Sequence, residues 1–189
     1  GSFIDPASGE LVDHCQHVAM GCCTAFLDLC RRTQVDHLFR CDETLHFFSR
    51  NGKSSTLRAA SWLPAPLHLS PSMLRLRDLT WWEKLSIAQT LRALVRFDSS
   101  NDKEQSVGDW LQARQQSQRA IDRFWSVVLV SALGESLDRA SVAAARKVFV
   151  DGFLAHRHAY HVYVPQSPLG DIYENGIARW LRDRRVEFQ

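Results

Sequence analysis

The chain has 189 residues, 45% of them hydrophobic and 23% charged, a composition typical of a folded globular protein with a core of its own. Lysine and arginine outnumber aspartate and glutamate by only 23 to 21, and the two signs are interspersed, so we expect no nucleic-acid partner. No uncharged stretch approaches the roughly 20 residues that cross a bilayer, so we expect no transmembrane helix.

The N-terminal segment and the cysteines indicate the cellular compartment. The segment "GSFIDPASG" has neither the basic start nor the apolar run of a signal peptide. Four of the five cysteines lie between residues 15 and 30, and an odd number of crowded cysteines is typical of reduced thiols. The sequence therefore predicts a cytoplasmic protein.

The first third of the chain predicts short extended pieces and one helix. Residues 3–17 are interpreted as extended segments around a turn at Pro6–Gly9. Apolar residues spaced three and four apart predict a helix over 18–32. Asn51-Gly52 lies between two extended runs and predicts a hairpin, because Asn-Gly supplies the positive φ angles of a tight turn. Three prolines then predict an irregular connection over 61–79.

A strong helix is predicted next. Thr80 and Glu83 have the spacing of a capping box in front of "WWEKLSIAQTLRALVRF". Its apolar stripe is expected to consist of Trp81, Leu85, Ala88, Leu91 and Val95.

The last half predicts further helices. One helix is expected to begin at Ser106 and another to end at Gly134. A third is expected to include "SVAAARKVFVDGF", and a fourth to begin at Ser167-Pro168. "AYHVYVPQ" and the terminal "VEFQ" are expected to be extended. The predicted fold class is α+β, predominantly helical with a small antiparallel sheet.

Residues 12–23, "VDHCQHVAMGCC", are rich in metal-ligating side chains. Zinc ligands come as close pairs, whereas the cysteine intervals of seven follow a helical face, and a buried free cysteine packs as a small hydrophobe. We interpret these cysteines as packing residues, with a metal at Cys15, Cys22, Cys23 and Cys30 as the alternative. His156, His158 and His161 are interpreted as solvated or hydrogen-bonded. We expect no metal.

Two further patterns concern cofactor and substrate. No two of the nine glycines are two positions apart, so the G-x-G-x-x-G turn that holds a dinucleotide cannot form. Several large apolar residues are interpreted either as ordinary core or as the lining of an apolar cavity: Trp81, Trp82, Phe124, Trp125, Leu129, Leu133, Phe149 and Phe153.

The sequence resembles a family of flavoenzymes. The segment after the G-G-R motif of flavin-dependent amine oxidases and phytoene desaturases is similar to Ser2-Phe3, Gly9-Glu10, Val12-Asp13, Gln16-His17 and Gly21. "VDHCQHVAMG" most resembles the hydroxysqualene dehydroxylases, which have glycine at the position of Cys15. "FWSVVLVSALGES" resembles their F-W-x-P-x-x-x-A-L-N, and the final 26 residues before Gln189 resemble the element that re-enters the flavin domain.

The resemblance implies that the chain is an internal fragment, the substrate-binding domain of such an enzyme. Residues 1–17 would leave an absent FAD domain, 18–170 would form the substrate-binding domain, and 171–189 would return to the FAD domain. FAD would belong to the full-length enzyme, and the fragment alone is expected to bind none and to be inactive. The rest of the flavin domain would be its partner.

The resemblance also implies a reaction and its residues. Reduction of hydroxysqualene to squalene needs an acid for the departing hydroxyl, and we assign His17 to this role with Asp13 orienting it. A structural hydrogen bond is the alternative for His17. Gln16 and Gly21 would contact the cofactor. The tunnel for the isoprenoid substrate would be lined by Trp125, Leu129, Leu133 and Phe153.

One prediction of membrane contact and two alternative functions complete the interpretation of the sequence. "LRLRDLTWWEKL" has the mixture of basic residues and tryptophan found at lipid surfaces, so it predicts peripheral contact with the inner face of the membrane, unless it is an ordinary amphipathic core helix. The enzyme could instead be a carotenoid-type desaturase of the same superfamily. The other class is a non-catalytic helical module that binds a partner in its apolar groove.

Overall fold

The computed structural model describes residues 2–13, 18–48, 52, 54–98 and 105–188. The chain divides into two compact units. Unit 1 combines the residues up to Glu43 with those from Tyr160 onward, and unit 2 is Thr44–Ala159. About 49% of the described residues are helical and the sheets they form are small and antiparallel, so the predicted α+β class is confirmed.

Short strands in the described ranges form three sheets. They are β1 (Ser2–Ile4), β2 (Leu11–Asp13), β3 (Ala19–Met20), β4 (Phe39–Asp42), β5 (Leu45–Phe48), β6 (Ser54–Leu57) and β7 (Val162–Pro165). β1 pairs with β2, β5 pairs with β6, and β7 lies between β3 and β4.

Helices occupy most of the remaining described chain. They are α1 (Thr24–Arg32), α2 (Ser70–Leu74), α3 (Trp81–Val95), α4 (Val107–Ala113), α5 (118–133), α6 (142–154) and α7 (169–182). The last three contain π-helical segments, at Ile121–Trp125, Lys147–Leu154 and Asp171–Ala178. Short 3-10 turns lie at Asp36–Leu38 and Leu67–Leu69.

The turn predicted at Pro6–Gly9 is confirmed and joins β1 to β2 in a hairpin, and the hairpin predicted at residues 51–52 is confirmed by the pairing of β5 with β6. The first turns through Gly9, whose φ is 71°, and the second turns near Gly52, whose φ is 74°. Asn51 lies outside the described residues. Such φ values suit glycine because it has no Cβ, which explains why these two local signals were sufficient.

The core of unit 1 is small. α1 and α7 bury Cys30, Leu169, Ile172 and Ile177 against Val35. Gly176 permits this packing, because a Cβ at that position would collide with the Val35 side chain.

The core of unit 2 is larger and combines α3 to α6. Its fully buried members include Ile87, Leu111, Trp125 and Leu129. An aromatic cluster lies within it, with Phe149 stacked on Phe124 at 5.5 Å between ring centroids and edge-on to Trp125 at 5.0 Å.

The helix predicted over 18–32 begins only at Thr24, which corrects its first half. Ala19 and Met20 instead pair with β7, and the amide of Gly21 donates to the carbonyl of His161. Sheet pairing with a distant strand outweighs the local helical spacing there. Only Cys30 of the cysteines in this region is buried, whereas Cys23 is exposed.

Helix α3 has the predicted capping box but presents a different face to the core. Ile87, Thr90 and Leu94 are buried, whereas Trp81 and Leu85 of the predicted stripe are 67% and 50% exposed. The polar Thr90 can be buried because the Gln116 side-chain amide donates to its hydroxyl at 2.9 Å. Of the predicted stripe only Leu91 packs against the core, so the prediction is wrong for its other four members, which are exposed.

Two other segments differ from expectation. The proline-rich connection over 61–79 contains a 3-10 turn and α2. Residues 186–188 of "VEFQ" are not a strand, because Arg185 takes a positive φ of 62° and the Val186 amide donates back to Leu181. None of the helices in the described part of the chain is long and apolar enough to cross a bilayer.

Candidate functional site

The candidate site lies in unit 1, where the chain leaves β2. The carboxylate of Asp13 accepts hydrogen bonds from the Ser2 hydroxyl and from the backbone amide of Leu169, at 3.2 Å to Oδ1 and 3.3 Å to Oδ2. The Ser2 hydroxyl oxygen accepts from the amide of Gly170 at 3.2 Å. Two side chains from the first hairpin therefore cap the first turn of α7.

This cap replaces the one that the sequence predicted at Ser167. A carboxylate beside the N-terminus of a helix is favoured by the helix dipole as well as by the amide hydrogen bond. Asp13 and Leu169 are 156 positions apart, so no local pattern could indicate their contact.

A pocket of about 410 Å³ opens beside Asp13. Polar and apolar groups share its lining. Asp13, Gln166 and Ser167 supply polar side chains, and the other lining residues are Leu11, Val18, Val164, Pro165, Pro168 and Leu169. Asp13 and Val18 border residues 14–17, which lie outside the described residues. The predicted site residues Gln16 and His17 belong to that segment.

Gly21, the other predicted cofactor contact, lies in unit 1 with Asp13. It is buried, and its amide donates to the carbonyl of His161 at 2.8 Å. That N–H is therefore used within the protein. A contact of Gly21 with a cofactor would have to use another atom.

The four predicted tunnel residues lie together in unit 2. Trp125 and Leu129 are fully buried members of its core, whereas Leu133 and Phe153 lie against that core and are partly buried. None of the four lines the pocket beside Asp13. Their assignment to a tunnel stays a prediction.

Trp125 is held by a polar network within this core. Its indole Nε1–H donates to the side-chain carbonyl of Gln116 at 2.9 Å. The amide nitrogen of Gln116 donates in turn to the hydroxyls of Ser86 and Thr90. Because each polar group has a partner, the network fixes the indole orientation at little cost in desolvation.

The described cysteines and histidines do not assemble into a metal cluster. Among the described residues, no three histidine, cysteine, aspartate or glutamate side chains are grouped so that they could hold a metal ion. Cys15 lies outside those residues.

A polar cluster that no local sequence pattern indicates lies on the three-stranded sheet. Cys41 of β4 lies directly opposite Tyr163 of β7, and its sulfur is 3.7 Å from Nδ1 of His161. Cys41 and His161 are 120 positions apart. The alternation in "AYHVYVPQ" indicated that His161 and Tyr163 share a face, but the partner strand could not be identified from it.

Neither a scan of the chain against protein-family profiles nor a search of curated proteins finds a match.

Proposed function

We propose that the chain is the substrate-binding portion of an FAD-dependent oxidoreductase that acts on a long isoprenoid and reduces hydroxysqualene to squalene. The observation that carries this proposal is the pocket bordered by Asp13 and Val18. The segment between them belongs to "VDHCQHVAMG", which resembles the hydroxysqualene dehydroxylases. Asp13, the residue proposed to orient the catalytic acid, lines this cavity.

The chemistry of the pocket is compatible with the ring system of a flavin. Six of its nine lining residues are apolar, which suits the face of a planar aromatic ring, and Asp13, Gln166 and Ser167 supply polar atoms. When bound, FAD would supply the hydride chemistry. The described residues contribute pocket walls, and Gln16 is the proposed hydrogen-bond partner.

Asp13 is the residue proposed to orient His17, and it also caps α7. Its carboxylate accepts hydrogen bonds from the Ser2 hydroxyl and from the Leu169 amide, which hold the side chain in a defined position. A carboxylate held in this way can fix the orientation of an imidazole. In the proposed mechanism, His17 protonates the departing hydroxyl of the substrate, and Asp13 keeps the imidazole aligned.

The apolar wall of the pocket has a second role in this mechanism. Loss of the protonated hydroxyl leaves an allylic cation, which water would capture. Leu169 is buried, whereas Leu11 and Val18 are each 53% exposed, so bound cofactor and substrate would have to cover them before this wall excludes water.

The substrate is poorly soluble, and we propose that the protein collects it at a lipid surface. Trp81 and Trp82 are 67% and 80% exposed at the start of α3, and the Lys84 ammonium lies 5.9 Å from the centroid of Trp81. Exposed tryptophan beside a cation is typical of interfacial contact, since the indole enters the headgroup layer and the ammonium meets anionic lipid.

The second candidate is a non-catalytic binding module. Unit 2 favours it, because this unit is one contiguous segment, Thr44–Ala159, with a core of its own. A carotenoid-type desaturase is an alternative within the flavoenzyme class, and it would use the same pocket in the opposite redox direction.

The test uses the protein encoded by the complete reading frame around this segment. We expect it to purify with FAD and to convert hydroxysqualene to squalene under a reductant, as measured by gas chromatography with mass spectrometry. His17→Gln should abolish turnover with normal flavin content, whereas the control His37→Gln, at an exposed position, should be fully active.

Each other result points to a different function. Flavin binding with desaturation of a carotenoid precursor would establish the desaturase. If the purified protein contains no flavin, both enzyme assignments are contradicted, and the non-catalytic binding module is the remaining candidate. Full activity of His17→Gln would remove His17 from the mechanism.

A further inference from the structure

A thiol, an imidazole and a phenol meet on one face of the sheet in unit 1. β4 and β7 are antiparallel with Cys41 directly opposite Tyr163, so these two side chains lie on the same face. His161 precedes β7 by one position and shares that face because side chains alternate. Its Nδ1 lies 3.7 Å from the Cys41 sulfur, which is hydrogen-bonding distance for sulfur.

The imidazole of His161 is held firmly in this position. Only 7% of the residue is exposed, and the ring of Tyr160 contacts it edge-on at 4.9 Å between centroids. Tyr160 is itself buried, and its hydroxyl donates to the carbonyl of Glu43 at 2.9 Å. His161 is therefore already in position to accept a proton from the Cys41 thiol, and no side-chain rearrangement is needed first.

Tyr163 adds a second hydrogen-bonding group to the sulfur. Burial raises the pKa of the Tyr163 phenol, and its hydrogen bond with Cys41 and the nearby thiol charge raise it further, while Arg31 opposes them. The phenol therefore keeps its proton at neutral pH. An O–H group that stays protonated can donate to a thiolate and stabilise it.

Cys41 is exposed, unlike Cys30 in the core of the same unit. A nucleophile within reach of a base, and open to solvent, can meet a small electrophile. We propose that Cys41 is a thiol–disulfide exchange site in which His161 is the base and the second substrate is a low-molecular-weight disulfide. This proposal does not depend on the proposed function.

The reaction balances without another oxidant. His161 takes the proton of the Cys41 thiol, and the thiolate attacks one sulfur of the disulfide. A new S–S bond forms on Cys41, the S–S bond of the small molecule breaks, and its other half leaves as a thiolate that takes the proton back from His161. Cys41 is oxidised to a mixed disulfide, and half of the small disulfide is reduced to a thiol.

The test measures the rate of mixed-disulfide formation with oxidised glutathione at neutral pH, with each cysteine assigned by tandem mass spectrometry. Cys23 is the internal reference because it is also exposed, and Cys30 reports whether the unit is folded because it is 1% exposed. We expect Cys41 to react about tenfold faster than Cys23 and Cys30 to stay unmodified.

Two variants and a control separate the role of His161 from a structural one. His161→Asn should lower the rate at Cys41 to that of Cys23, and Tyr163→Phe should lower it by a smaller factor. His37→Asn, at an exposed position in the same unit, should have no effect.

Two results would overturn the proposal. One is a rate at Cys41 that does not exceed the rate at Cys23 in the unaltered protein. The other is an unchanged rate in His161→Asn with Cys30 still protected. If His161→Asn exposes Cys30 by unfolding, Tyr163→Phe decides, and an unchanged rate in that folded variant contradicts the cluster.

Discussion

The carboxylate of Asp13 accepts a hydrogen bond from the backbone amide of Leu169, so the first hairpin caps a helix formed near the other end of the chain. Ser2 contributes to the same contact, since its hydroxyl donates to Asp13 and accepts from Gly170. The residue proposed to orient His17 is therefore also a structural residue. Activity and stability must be measured separately at this position.

Asp13→Ala should weaken the start of α7. Loss of a helix cap costs about 1 kcal/mol, and here the change also removes the partner of the Ser2 hydroxyl. We expect faster amide hydrogen exchange at Leu169 and Gly170, measured by mass spectrometry. Glu10→Ala, an exposed carboxylate in the same hairpin, is the control and should leave both amides unchanged.

The capping box at the start of α3 should make the stability of unit 2 depend on pH. Burial raises the pKa of Glu83, but hydrogen bonds from Thr80 and Ser117 and the charge of Arg119 outweigh it and leave the pKa below its ordinary value. A carboxyl group with a lowered folded pKa stabilises the protein above its unfolded pKa of about 4.3, and this contribution is lost as the pH falls through the folded value.

Glu83→Gln should therefore lower the free energy of unfolding most at neutral pH. The difference from the unaltered protein should shrink in acid below about pH 4. Urea unfolding followed by tryptophan fluorescence measures this, because five of the six tryptophans lie in unit 2. Glu174→Gln, at an exposed position in unit 1, should show no such trend, and a difference that is constant with pH would contradict the assignment.

The capping box and the two glycine turns were predictable because their signals lie within a few residues of one another. Thr80 and Glu83 hydrogen-bond each other within one helical turn, and Ser117 adds to a contact that the local sequence already determines. The buried face of α3 could not be predicted in this way. That face depends on Gln116, which lies between α4 and α5 and whose side-chain amide donates a hydrogen bond to the Thr90 hydroxyl.

The buried histidine of unit 2 should produce an acid-sensitive step. Burial lowers the pKa of His68, and the charges of Arg157, His156 and His158 lower it further. Arg157 is fixed nearby, since its guanidinium donates to the carbonyls of Ala60, Ser61 and Leu63. An imidazole whose folded pKa is lowered takes up a proton more readily in the unfolded chain, so stability is lost as the pH falls below about 6.5.

His68→Leu should flatten the dependence of the unfolding free energy on pH below about 6.5. Thermal unfolding at a series of pH values measures that slope. The control His46→Gln, at an exposed position in the same unit, should keep the slope of the unaltered protein. A slope that is the same in His68→Leu would show that another group is responsible.

The double variant Trp81→Ser with Trp82→Ser should lose most of the protein's binding to vesicles that contain anionic lipid. The exposed indoles supply apolar contact, and the nearby Lys84 adds an electrostatic part that salt should weaken. Flotation of the protein with vesicles measures the bound fraction.

The matched control for this experiment is Val127→Ser with Val130→Ser. These valines are 42% and 41% exposed on a different helix of the same unit. We expect the control to float as the unaltered protein does. Equal loss in both double variants would indicate general adhesion of apolar surface instead of a specific lipid-facing site.

The candidate site was less predictable than the local elements. The resemblance implied roles for Asp13, Gln16, His17 and Gly21 that stay predictions, and of these residues Asp13 borders a pocket. The opposite wall comes from Val164 to Leu169, and only the folded chain brings it there. The Cys41–His161 pair has the same origin, because strand register across more than a hundred residues determines it.

The central position of β7 has a consequence for synthesis on the ribosome. β3 and β4 both pair with β7, so they have no strand partner until residues 162–165 have emerged. The contiguous segment Thr44–Ala159 can fold earlier, as domains do when they emerge in order. A nascent chain arrested after Ala159 and before residue 162 would expose the unpaired edges of β3 and β4 to chaperones. The sheet of unit 1 can therefore form only after β7 has been translated.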